Sequence, residues 1–150
     1  MDKQVFEYLR ILGFTDEEIN YIEEKNDNIT YANLSHVKQI ILFLQELELN
    51  IQIIKNICTT NVFMITETFS RINKLNNIYY EQLGLNKNQI QKIIIENYNM
   101  YTINPNELEK IIDYLKNKNC TIEVIRKFFV QNPKVISMKF EDFEKVIKFN

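Results

Sequence analysis

Apolar residues along this chain cluster at helical spacing, and threonine or asparagine opens every second cluster. The copies read Phe14-Thr15…Ile19…Ile22, Leu49-Asn50…Ile54…Ile57, Leu85-Asn86…Ile90…Ile93 and Cys120-Thr121…Ile125…Phe128, with the Thr/Asn positions 35, 36 and 35 residues apart. A threonine or asparagine before an apolar run is a helix N-cap: its side-chain oxygen accepts an amide left unpaired in the first turn. The apolar residue before the cap staples onto the isoleucine four positions beyond it. The pattern predicts four A helices, over 16–25, 51–60, 87–97 and 122–131.

A second mark recurs in step with the first. An aromatic stands seven residues before each cap (Tyr8, Phe43, Tyr79 and Tyr114), with Phe149 in phase near the end. It closes a second helix whose apolar positions, such as Leu34, Val37, Ile40, Ile41 and Leu44, keep helical spacing. Predicted B helices cover 2–11, 34–46, 68–82, 106–117 and 140–149. The expected fold is all-α: a curved α-helical repeat array (solenoid) in one domain, 1–150, of four two-helix units of about 35 residues. An N-terminal capping helix occupies 1–12, and the units run 13–47, 48–83, 84–118 and 119–150. The aromatics, flanked by isoleucine and leucine, are expected to pack in the core and between repeats rather than to stack on bases.

Local signals place the joints. Gly13 and Gly84 lie where a B helix gives way to an A helix and a glycine C-cap is expected. Asn104-Pro105 opens the third unit's B helix, since proline is tolerated in the first turn. Asn132-Pro133 ends the fourth A helix, because a residue before proline avoids the α region.

Chemistry enters mainly by exclusion. Two isolated glycines form no phosphate-cradling loop, and the single histidine, His36, has no nucleophile or orienting carboxylate placed beside it by a motif. Cys58 and Cys120 are 62 residues apart and form no C-x-x-C pair, so they read as reduced, packed thiols. The acidic run Asp16-Glu17-Glu18 is explained by a Thr15-x-x-Glu18 capping box and by the helix dipole. No enzyme activity, metal or cofactor is expected. With no long apolar stretch and no signal-peptide pattern, the protein is expected to be cytoplasmic and not membrane-bound.

Charge is uneven: residues 1–49 carry four basic against ten acidic residues, and residues 50–150 carry fourteen against ten. Basic residues recur at similar phases in units two to four: Lys55, Arg71, Lys74, Lys92, Lys110, Arg126 and Lys127. Such a series is a candidate phosphate-binding stripe, although Glu107, Glu109, Glu141 and Glu144 stand close to it.

A period near 35 does not by itself choose a family. Tetratricopeptide and pentatricopeptide repeats need small residues where their helices cross, and this chain has one alanine and two glycines. Its units, with a Gly-Phe/Leu before helix A, an Asn-Pro after it, a short turn and a Leu/Ile-rich helix B, resemble the mitochondrial transcription termination factor family. The segment Ile125-Arg126-Lys127-Phe128-Phe129-Val130-Gln131-Asn132-Pro133 carries the resemblance best, supported by Leu12-Gly13-Phe14-Thr15 and Leu83-Gly84-Leu85-Asn86. The family's proline stands at Pro133 alone; Asp27, Val62 and Tyr98 occupy the matching places. The resemblance implies a curved all-α array and nucleic-acid binding along a basic inner surface. The favoured partner is therefore nucleic acid. The alternative is a protein or peptide, including a second copy of the chain docked through an apolar terminal face near Phe149.

Overall fold

The computed structural model describes residues 1–147, and among these all regular structure is helical. The α-helices are α1 (Lys3–Ile11), α2 (Asp16–Lys25), α3 (Leu34–Glu46), α4 (Ile51–Thr60), α5 (Phe69–Asn76), α6 (Lys87–Glu96), α7 (Pro105–Asn117), α8 (Ile122–Gln131) and α9 (Phe140–Val146). The A helices are α2, α4, α6 and α8; the B helices are α1, α3, α5, α7 and α9. The expected B-helix residues beyond 147, Phe149 among them, lie outside the described residues. The chain divides into two compact units, 1–68 and 69–150, and the division falls inside the second repeat, between α4 and α5. In unit 1, α1 packs on α3 and α2 on α4. In unit 2, α5, α7 and α9 form one layer, while α6 packs on α8 to form the other.

All four predicted caps form. Thr15, Asn50, Asn86 and Thr121 sit in extended backbone and accept the amides of Glu18, Ile53, Gln89 and Val124. Thr15 and Asn86 complete full capping boxes with Glu18 and Gln89. The staple residues Phe14, Leu49 and Leu85 are buried, as are Ile19, Ile54, Ile90 and Ile125 beyond the caps. Two residues before each cap the backbone enters the left-handed region, at Gly13 (φ 105), Glu48 (φ 62), Gly84 (φ 66) and Asn119 (φ 65). The two expected glycines are there, and glutamate and asparagine fill the same position in the other repeats.

The 36-residue step has a structural counterpart. From the first residue of α3 to its left-handed joint is 14 residues, and from α7 to its joint also 14, but from α5 to Gly84 it is 15. The extra residue is absorbed by a π-helical turn over Asn77–Gln82, where the Leu83 amide reaches the Ile78 carbonyl at 2.9 Å. The predicted continuous helix 68–82 is thus an α-helix that widens in its last turn. One inserted residue costs a local widening, and both ends of the helix stay in register. Within this turn Tyr79 is fully buried and donates its hydroxyl to the Met100 carbonyl. Tyr101 meets it edge-on, with ring centroids 5.4 Å apart, and donates to Asn76 Oδ1 at 2.6 Å. The other described aromatics of the series, Tyr8, Phe43 and Tyr114, are half-buried, and Tyr114 packs edge-on against Phe140 and Phe143.

A further mark ends each A helix: Asn26, Asn61, Asn97 and Asn132, again 35, 36 and 35 residues apart. Asn26 is fully buried; its Nδ2 donates to the Val62 carbonyl and Thr66 Oγ1, both at 2.9 Å, and its Oδ1 accepts the Asn28 amide. Asn97 repeats this arrangement one unit on, donating to the Pro133 carbonyl at 3.0 Å and Ser137 Oγ at 2.7 Å and accepting the Asn99 amide. Asn132 is exposed and turns back to the Phe128 carbonyl of its own helix. One buried amide side chain therefore starts the turn after its helix and ties that turn to the next repeat.

Replacing Asn97 with alanine leaves the Pro133 carbonyl and Ser137 hydroxyl without this donor, at a cost of about 2–3 kcal/mol. Asn26→Ala is expected to cost as much in unit 1 and Asn132→Ala less than about 0.5 kcal/mol; urea midpoints of the three variants check this. Burial raises the pKa of both Tyr79 and Tyr101. The unfolded chain ionises its tyrosines near pH 10, before these two can ionise in the fold, so their contribution to stability is intact below that pH and falls above it. Titration at 295 nm is expected to show both tyrosines silent until unfolding. Tyr79→Phe, which loses the bond to the Met100 carbonyl, is expected to be less stable near neutral pH but to lose stability less steeply as pH rises above about 10.

Candidate nucleic-acid interface

The seven basic residues of the expected stripe are held in different ways. Lys55, on α4 of unit 1, is half-buried with its Nζ 3.3 Å from Glu18 Oε1, the oxygen that also accepts the Thr15 amide at 2.8 Å. The Thr15 amide first, and the Lys55 ammonium after it, hold the Glu18 carboxyl below its ordinary pKa. Lys55 is thus neutralised by the carboxylate of a capping box. Arg71, in the first turn of α5, donates to the Thr102 carbonyl at 3.3 Å. Arg126, half-buried on α8, donates Nε to the Leu83 carbonyl at 2.6 Å. Lys74, Lys92, Lys110 and Lys127 are exposed, and among the described residues none makes an ion pair or side-chain hydrogen bond.

Within unit 2 the exposed lysines sort by layer. Each is the sixth residue of its helix: Lys74 on α5 and Lys110 on α7, with Lys145 in the same place on α9, and Lys92 on α6 and Lys127 on α8. Lys74, Lys110 and Lys145 therefore belong to the B layer, and Lys92 and Lys127 to the A layer. The six that lie in unit 2 divide between its two layers: α6 and α8 carry Lys92, Arg126 and Lys127, and α5 and α7 carry Arg71, Lys74 and Lys110.

The layers also differ in charge. Helices α6 and α8, with the 3₁₀ turn Pro133–Ser137, carry five basic residues against two acidic ones. Helices α5, α7 and α9, with the π turn, carry five basic against seven acidic, among them Glu107, Glu109, Glu141 and Glu144. The acidic neighbours noted in the sequence all lie on the B layer. Lys134, on the turn after α8, and Lys87, the first residue of α6, add to the A-layer surplus and were missed in the sequence. Sorting lysines by helix type rather than by phase would have found them.

His36 and Cys58 both take part in the packing of unit 1. The His36 ring Nε2 lies 2.8 Å from the Glu67 carbonyl, tying α3 to the turn before α5. Cys58 is a free, buried thiol whose pKa burial pushes up to about 12, so the unreactive thiol form prevails. No helix among the described residues is long and apolar enough to cross a membrane.

A family model described as mTERF matches residues 2–149, nearly the whole length of the chain. No curated protein matches it. The match covers every A and B helix described above, and it agrees with the resemblance carried by the Gly-Phe and Asn-Pro signatures. The chain belongs to the mTERF family.

Proposed function

We propose that this protein binds nucleic acid without catalysis, through the α6–α8 layer of unit 2. The family is one of nucleic-acid-binding helical repeats. The observation that supports the reading here is the segregation of charge between layers, with Lys92 and Lys127 at matching, exposed and unpaired positions on neighbouring helices. Packed helices stand about 8–10 Å apart, so the two ammonium groups reach phosphates along a single strand. Each phosphate neutralised releases condensed counterions, and this supplies affinity without reading sequence. The face fits a nucleic-acid backbone in general rather than a particular base order.

The test is fluorescence anisotropy of labelled random-sequence DNA and RNA, single- and double-stranded, over a salt series. Binding is expected to weaken steeply with salt. The Lys92→Glu/Lys127→Glu double variant is expected to lose at least about tenfold in affinity and about two units of salt slope. Lys110→Glu/Lys145→Glu, on the B layer, is expected to change affinity less than about threefold. Absence of binding at low salt, or equal losses from the two pairs, would sink the reading.

A second reading, protein association through unit 1, is favoured by an open groove of about 390 Å³ between α1 and α3. Tyr8, Ile11 and Leu34 line it alongside Lys3, Glu7 and Lys38, and Ile11 is 82% exposed. Unit 1 carries five basic against eleven acidic residues, which disfavours phosphate and suits a protein partner. If the partner is a second copy, sedimentation at high concentration is expected to show a dimer that Ile11→Asp removes, and a strict monomer would exclude self-association.

A further inference from the structure

Arg126 is held differently from Lys92, Lys127 and Lys134 of the same layer. Its Nε is fixed on a neutral acceptor, the Leu83 carbonyl, at 2.6 Å. A carboxylate in that place would cancel its charge, as Glu18 does for Lys55; a carbonyl orients the guanidinium and leaves the charge available. Its two terminal amino groups meet no hydrogen-bond acceptor or carboxylate among the described residues. The planar fork of arginine binds phosphate best when both amino groups of one edge are free.

The guanidinium passes over Gly84. A Cβ built at residue 84 would stand 2.8 Å from Arg126 Nη2 and 3.4 Å from its Cζ and Nε. A side chain at 84 and the arginine in this position exclude each other. The left-handed backbone at Gly84 does not by itself call for glycine, because Glu48 and Asn119 adopt the same conformation at the equivalent joints. The joint glycine Gly13 has nothing within 4 Å of its missing Cβ, so its neighbourhood holds no such niche.

We infer that the Leu83 carbonyl and the bare backbone of Gly84 form a niche that pre-orients Arg126 as a phosphate clamp beside Lys127, with Gly84 as a positioning residue. This rests on the reading of the α6–α8 layer as the nucleic-acid face. Fixing the side chain before binding removes most of the entropy otherwise lost on ordering it. Arg126 also meets the carboxyl end of the helix that closes at Leu83, where a cation is favoured. A purely structural role therefore predicts changes in stability alone, and the clamp predicts changes in the salt dependence of binding.

The full-length chain is titrated against labelled random-sequence duplex DNA and single-stranded RNA over a salt series, with melting temperatures recorded in parallel. Arg126→Gln is expected to weaken binding about tenfold and lower the salt slope by about one. Arg126→Lys keeps the charge and loses the anchored fork, so the slope is retained while affinity falls about three- to tenfold. Gly84→Asn keeps a residue that tolerates the left-handed joint but fills the niche; it is expected to fold and to weaken binding about as much as Arg126→Lys. Gly13→Ala strains an equivalent joint with no arginine above it and is expected to lower the melting temperature with affinity unchanged. If Arg126→Gln and Gly84→Asn bind like wild type with the same slope while Lys92→Glu/Lys127→Glu weakens binding, the clamp is overturned and the nucleic-acid face stands. Wild-type protein without salt-dependent binding overturns both.

Discussion

The buried carboxamide that ends an A helix, at Asn26 and Asn97, is the contact on which the repeat depends. Asn26 and Asn97 lie buried between an A helix and the turn of the following repeat, and each makes bonds that a helix end otherwise lacks. The oxygen starts the turn by accepting the amide two residues on. The nitrogen reaches the carbonyl and hydroxyl 36 and 40 residues further along. Aspartate would bring a buried charge with no donor to offer those acceptors, and alanine would leave them unpaired. A single polar side chain so fixes both where a helix ends and how far away the next one lies.

Around this contact the backbone is kept in register by devices of different kinds. The left-handed residue before each cap reverses the chain in the space of a few residues, and Gly13, Glu48, Gly84 and Asn119 do it with different side chains. The Asn50-to-Asn86 step is one residue longer than its neighbours. The π turn at Asn77–Gln82 absorbs the excess where Tyr79 is buried, so neither the joint nor the cap shifts. The buried Tyr79–Tyr101 pair fills the space beside the widened turn. Packing adapts to the insertion, while the hydrogen-bonded ends do not move.

The same economy governs charge. Lys55 and Arg126 occupy the fifth position past their caps, and both reach earlier parts of the chain, where Lys55 meets the Glu18 carboxylate and Arg126 the Leu83 carbonyl at the joint before α6. The first arrangement spends the positive charge on the fold, and the second keeps it. In unit 2 the acidic residues gather on the B layer, so the surplus on α6 and α8 is not diluted. Position in the repeat sets the geometry of a basic side chain, and its acceptor decides whether its charge reaches solvent.

Much of this was legible in the residue order. Short-range chemistry determines where a helix starts and stops, and it predicted α2, α3, α4 and α8 to the residue. A cap needs only its own side chain and the next three amides, so Thr15, Asn50, Asn86 and Thr121 announce themselves. The asparagines ending the A helices were equally periodic in the sequence, but their role depends on a partner 36 residues away, which no local pattern reveals. Nor does phase along a helix say which layer a lysine joins; that follows from which helices pack together, and it put Lys92 and Lys110 on different layers. By itself the sequence determined the helices, the period and the all-α class, because those rest on bonds within a few residues. Only the tertiary structure decided which asparagines are buried and which acceptors the basic side chains meet. Those outcomes depend on atoms that folding alone brings within about 3 Å of one another, such as Asn97 Nδ2 with the Pro133 carbonyl and Arg126 Nε with the Leu83 carbonyl.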